Sequence, residues 1–276
     1  MLRRAPVLLL LTLAVSGVAG AGADNPAVTT VYPVKHPKGL MVTSAGWPYC
    51  LQVRMLARDS GYTLLCGRFW KDGYTDFNLR RRRHLDWGNP AYLAAYAKVI
   101  RAVHAKVGGK LVIIGVSASG FAVATLAGHH PEIRPDRLIV IDSYLDLLAR
   151  RRAAKYLTAH EIDEETGGSE AALRARSVPV SGLATLARQG TDFAFIWTVS
   201  ADERHEFNGA TCNRDAYAAT LARLAQVSRR PVRAWVSHAK HGHNLWDHGA
   251  AIVAGRYPGR EVVFKPDGHI PAGSTC

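Results

Sequence analysis

The sequence contains no Cys-x-x-Cys pair and no His-Glu-x-x-His segment, and only four cysteines occur in its 276 residues. The first absence leaves a thiol redox motif or a zinc knuckle unsupported, and the second removes the zincin pattern. Acidic residues are scarce: 22 Asp and Glu stand against 35 Lys and Arg, a formal net charge of +13. Such an excess attracts anionic surfaces or substrates. Nucleic acid is not an expected partner, because there is no zinc finger, no RNP-like strand and no set of stacking aromatics interleaved with the basic residues. Low-complexity linkers and internal repeats are missing. With 48% apolar and 21% charged residues, disorder, collagen and coiled coil are set aside. The only long apolar run, about sixteen residues, sits at the N-terminus and is too short for a convincing membrane span.

That run reads as a secretory signal over residues 1–23. Arg3 and Arg4 give the positive start, Val7 to Val15 is the apolar stretch, and Ala21-Gly22-Ala23 is the small-x-small cleavage site. Ala19-Gly20-Ala21 is the rival site, and an uncleaved anchor is the rival reading. The mature part is 24–276, secreted or periplasmic. No Cys adjoins the cleavage site, which argues against a lipoprotein. Cys50, Cys66, Cys212 and Cys276 all fall in the mature part. An even number in an exported protein predicts two disulfides. Pairing of Cys50 with Cys66 is local, and pairing of Cys212 with Cys276 ties down the tail. The other pairings stay open.

Apolar runs alternate with helical patterns along the chain. Leu40 to Ala45, Tyr62 to Cys66, Leu111 to Ile114, Arg137 to Ile141, Phe193 to Val199 and Val232 to Ser237 read as strands, the last being the final clear one. Helices are expected over Tyr49–Asp59, from Ala91 to Val107, over 118–128, within 144–190 and from Ala216 to Gln226. This alternation predicts an α/β fold: a doubly wound, mainly parallel sheet with helices on both faces.

The most informative stretch is Leu111 to Gly120. A buried strand runs into Gly115-Val116-Ser117-Ala118-Ser119-Gly120, and a small-residue helix leaves it. Ser117 stands at the apex, where strand and helix approach closely and small neighbours are needed. Ser119 is small but stands where glycine is usual. It is a poorer nucleophile candidate, since Phe121 would fill its tight +2 position.

With Tyr62–Cys66, His130-Pro131-Glu132 and Leu138–Asp142 in order around this turn, residues 39–254 resemble an α/β-hydrolase. The resemblance implies a Ser–acid–His triad in chain order, and no cofactor. Ser117 is the implied nucleophile. Asp202, after the Phe193–Val199 strand, is the implied acid, with Glu203 weaker and Asp142 the alternative after the preceding strand. His243, in Gly242-His243-Asn244, is the implied base, with His241 as runner-up. The competing metal reading of His238, His241, His243 and His248 lacks a helical ligand pattern. The oxyanion hole is assigned to the N–H of Ala118 and to Gly46 or Trp47. Here Ser44-Ala45-Gly46-Trp47 replaces the family's frequent His-Gly.

Residues 144–190 occupy the place of a short helical lid. The runs Arg80–Arg83 and Arg150–Arg152 are read as a solvated face that can attract an anionic surface or substrate. The expected activity is carboxylic ester hydrolysis of a small or lipid-like acyl ester. A peptidase or amidase with the same triad is the alternative. A non-catalytic binding protein on the same scaffold is the alternative of another class.

Overall fold

In the computed structural model, residues 29–44, 47–67, 88–154, 156–198, 213–237 and 249–275 are described. Eight strands form one sheet in the order β1-β3-β2-β4-β5-β6-β7-β8. They are β1 (Thr29–Tyr32), β2 (Gly39–Ser44), β3 (Thr63–Gly67), β4 (Lys110–Val116), β5 (Arg137–Ile141), β6 (Asp192–Thr198), β7 (Val232–Ser237) and β8 (Arg260–Phe264). The six from β2 to β7 run parallel, and β1 and β8 flank them antiparallel. The parallel strands carry near-continuous apolar runs because helices cover both faces. In β4 every residue after Lys110 is buried.

Local chemistry sets the helices. α1 (Trp47–Ser60) precedes α2 (Pro90–Val107), where the Asn89 side chain accepts from the N–H groups of Ala91 and Tyr92 and Pro90 fixes the first turn. α2 turns Tyr92, Leu93, Tyr96, Ala97 and Ile100 inward. Each large aliphatic side chain buried this way contributes roughly 1.5–3 kcal/mol. α3 (Ala118–His129) is buried from Ser119 to Gly128, which explains its Ala and Gly content. α4 (Leu147–Ala153) and α6 (Glu170–Arg176) start on the side-chain caps Asp146 and Ser169, with α5 (Tyr156–Thr166) between them. α7 (Val180–Gln189) crosses α3 so closely that a Cβ on Gly182 would strike the Gly128 backbone. α8 (Asn213–Ser228) and α9 (Gly249–Val253) complete the layers among the described residues.

The strands and helices expected between residues 40 and 237 are present with small shifts at their ends. Two strands were not expected. β1 is half-buried throughout, and β8 buries only Val262 and Phe264. As edge strands they have one neighbour each and little core, so they lack a strong apolar run. Segment 144–190 is helical; α7 packs against α3 and α8, and α4–α6 bury Leu147, Leu148, Ile162 and Leu173 in the same core.

Candidate active site

At the end of β4 the chain adopts a conformation that an L-residue rarely holds. Ser117 has φ 54° and ψ −127°, outside the regions that sterics favour. The surrounding backbone fixes it. Its N–H donates to the Ile141 carbonyl at 2.9 Å, and its carbonyl accepts from the Phe121 N–H at 3.1 Å and from the Ser143 hydroxyl at 2.8 Å. The Ser117 side chain makes no capping bond to α3. A serine that merely capped this helix would use its hydroxyl that way.

The neighbours explain the small residues. A Cβ on Gly115 would collide with the Ser119 carbonyl, and one on Gly120 would stand 2.7 Å from Ser143 Cβ. Ser119 is accommodated because its side chain turns toward β2, where its hydroxyl lies 3.4 Å from Thr43 Oγ1. Ser119 is buried, unlike the partly exposed Ser117. Ala118 opens α3, so its N–H has no acceptor within the helix and lies at the positive end of the helix dipole.

Beside the elbow, the end of β2 is held from two sides. Ser44 Oγ lies 2.9 Å from the Tyr92 hydroxyl. The Tyr96 hydroxyl donates to the Thr43 carbonyl at 2.6 Å and accepts from the Gly67 N–H at 2.9 Å. Burial, and then Tyr92, push the Tyr96 pKa well above the ordinary tyrosine value, so the phenol stays protonated as a donor. A disulfide joins Cys50 in α1 to Cys66 in β3, with Cα atoms 6.0 Å apart. Trp47 is the first residue of α1. The neighbouring Gly46 lies outside the described residues.

Asp202, Glu203, His238, His241, His243 and His248 also lie outside the described residues, as do Cys212, Cys276 and Arg80–Arg83. The framework that precedes them is described. β4, β6 and β7 run parallel, and their carboxyl ends lie on one edge of the sheet. β6 ends at Thr198, four positions before Asp202, and β7 ends at Ser237, six before His243. Asp142, the alternative acid, follows β5 on that same edge. It is buried, has φ 46°, and its N–H donates to the Ile196 carbonyl at 2.9 Å. It also helps burial raise the Tyr217 pKa.

The Arg150–Arg152 run is not a uniform solvated face. Arg150 is buried, with its guanidinium 5.2 Å from the centre of the Tyr144 ring, which stacks on Phe121. Arg151 binds Asp163 through both carboxylate oxygens, and this pairing lowers the Asp163 pKa. Arg152 reaches Glu170 at 3.4 Å. Among the described residues no three metal-ligating side chains cluster, and no helix is long and apolar enough to cross a membrane. Two contributors were not anticipated, Ser143 and Tyr96. Their roles arise from strand register and leave no mark in local spacing.

No protein-family model matches the chain, and no curated protein matches it. Among solved structures it is similar to an S-formylglutathione hydrolase from Agrobacterium tumefaciens. The TM-score is 0.54 at 11% identity, over 83% of this chain and 88% of that one. It is similar to a hormone-sensitive lipase from a metagenome library, with TM-score 0.52 at 13% identity, over 84% and 83%. It is also similar to a puromycin-hydrolyzing peptidase from Mycobacterium tuberculosis, with TM-score 0.53 at 16% identity. That match covers 83% of this chain but only 36% of the peptidase.

Proposed function

The chain has the α/β-hydrolase fold, and on that scaffold we propose that it is an exported serine hydrolase of carboxylic esters. Residues 1–23 are its secretory signal, and 24–276 its catalytic domain. The observation that carries the reading is the strained Ser117 at the carboxyl end of a strand buried from Leu111 onward, its hydroxyl unused by the helix behind it. Backbone strain of this kind persists where the surroundings over-determine it, and it concentrates at active sites.

Ser117 Oγ attacks the ester carbonyl carbon while His243 takes its proton. The carbonyl oxygen becomes an oxyanion facing the Ala118 N–H and a second donor at Gly46 or Trp47. Collapse expels the alkoxide, which His243 protonates, and leaves Ser117 acylated. Water, deprotonated by His243, releases the acid and restores the serine. Asp202 holds the imidazole tautomer throughout and stabilises imidazolium. Losing one oxyanion donor costs roughly 2.7–4 kcal/mol of barrier. Helices α4–α6 cap the site and exclude water, with the basic surface drawing in anionic or interfacial substrates. The hydrolase and lipase among the structural neighbours support an ester substrate, and the peptidase neighbour keeps an amide as the second reading.

The test is a panel of acyl esters of graded chain length, with matched amides, assayed across pH. Turnover should fall in acid with an apparent midpoint of about 6–7, as expected of a histidine base. Asp202→Asn should lower kcat by about 10⁴-fold in folded protein, and Asp142→Asn should do much less. The reverse order moves the acid to Asp142. A rate flat from about pH 4 to 8 removes the histidine base.

A further inference from the structure

We propose that Ser143 is a positioning residue for the oxyanion hole, holding the Ser117–Ala118 peptide so that the Ala118 N–H faces the reacting oxygen. The proposal rests on the serine hydrolase reading above. Ser143 is 1% exposed, and its hydroxyl lies 2.8 Å from the Ser117 carbonyl oxygen and 3.2 Å from its own neighbour's, that of Tyr144. A hydroxyl carries one proton, and the shorter approach is to Ser117.

The Ser117 carbonyl and the Ala118 N–H belong to one planar, trans peptide unit. They point in opposite directions, and neither can turn without the other. At ψ −127° that plane departs from the geometry of an ordinary N-cap, which lies in the β region. Something must hold it there. Phe121 N–H supplies one hydrogen bond to the carbonyl and Ser143 supplies the second, filling both acceptor sites of that oxygen. Donation into a carbonyl also polarises its amide, which strengthens the N–H on the far side as a donor.

The chain is shaped to deliver this hydroxyl. Asp142 adopts φ 46° while its N–H stays bonded to Ile196, so the chain turns back toward β4 one residue after β5 ends. Gly120 leaves the space, since a Cβ there would lie 2.7 Å from Ser143 Cβ and 3.0 Å from its Oγ. Two strained residues on adjacent strand ends are thus joined by the Ser143 side chain.

The test is Ser143→Ala, which deletes the hydroxyl and adds no atoms, with Ser143→Cys as a variant that keeps a donor, though a larger and weaker one. A contact that matters only in the transition state lowers kcat and leaves KM. We expect kcat on a reactive ester to fall about tenfold in Ser143→Ala, with KM changed by less than about twofold and the pH midpoint unmoved. A trifluoromethyl ketone, which forms an oxyanion on the enzyme, should bind weaker by the same factor. Ser143→Cys should lie between, and it carries the test if the alanine variant does not fold. Unchanged kcat and ketone affinity, with only Tm lowered, would reduce Ser143 to a structural residue and overturn the proposal. So would a KM that rises with the fall in kcat. A wild-type protein inert to esters and to fluorophosphonates would instead sink the hydrolase reading, and this proposal with it.

Discussion

The Tyr96 hydroxyl lies 2.6 Å from the Thr43 carbonyl oxygen, joining α2 to the end of β2 across 53 positions of sequence. The Tyr96 hydroxyl oxygen in turn accepts the Gly67 N–H from the end of β3. One phenol thus fixes two strand ends beside the loop to which the second oxyanion donor is assigned.

Tyr96→Phe keeps the ring and removes that junction. Two buried backbone groups lose a partner, and each such loss costs about 1–3 kcal/mol. Chemical denaturation should show a lower midpoint with an unchanged slope, and kcat should fall as the β2 end loosens. A variant as stable and as active as the wild type would show that the junction is redundant.

The disulfide between Cys50 and Cys66 acts on the same corner from the α1 side. It closes a loop of sequence separation 16, for which the loss of unfolded-chain entropy is worth about 3 kcal/mol. Cys50→Ala with Cys66→Ala should lower Tm by roughly 6–12 °C. Both sulfurs sit in residues no more than 3% exposed, so reductant should leave the native bond intact and cleave it once the protein is unfolded. Free Cys50 and Cys66 in peptide maps of folded, exported protein would contradict this.

His129 predicts a pH dependence of stability. His129 is exposed at the end of α3, but partial desolvation by its neighbours, and then the adjacent His130, lower its pKa below the ordinary 6.5. The unfolded chain therefore takes up the proton first as the pH falls. The stability this group contributes is complete above about 6.5 and is lost as the pH drops through the folded value. His129→Gln should flatten the fall of Tm below about pH 6.5. Parallel Tm curves for the two proteins would show that His129 makes no such contribution, and a steeper fall in the variant would reverse its sign.

The parallel strands were legible because burial on both faces demands unbroken apolar runs, as in Leu111–Ile114 and Arg137–Ile141. The strand-turn-helix around Ser117 was legible because its glycines answer to close backbone contacts: Gly115 meets the Ser119 backbone, and Gly120 meets Ser143. β1 and β8 were hidden because a one-sided edge strand needs few apolar residues. Ser143 was hidden because its partner lies 26 residues away and is set by the register of β4 against β5. The Arg150–Arg152 run shows the limit of composition. Three identical side chains in one helix meet a tyrosine ring, an aspartate and a glutamate, according to the direction each one leaves the axis.

The central claim is that Ser117 is an activated nucleophile, and covalent labelling tests it most directly. A fluorophosphonate probe forms a stable adduct only where nucleophile, base and oxyanion donors act together, and it needs no knowledge of the natural substrate. Mass spectrometry of labelled peptides at about pH 8, where a histidine base is neutral, should place the adduct on Ser117. Ser117→Ala should abolish it. Ser119→Ala should retain it, because that side chain is buried and faces Thr43. An adduct on Ser119, or folded protein that stays unlabelled by small and large probes after α4–α6 are trimmed, would contradict the account.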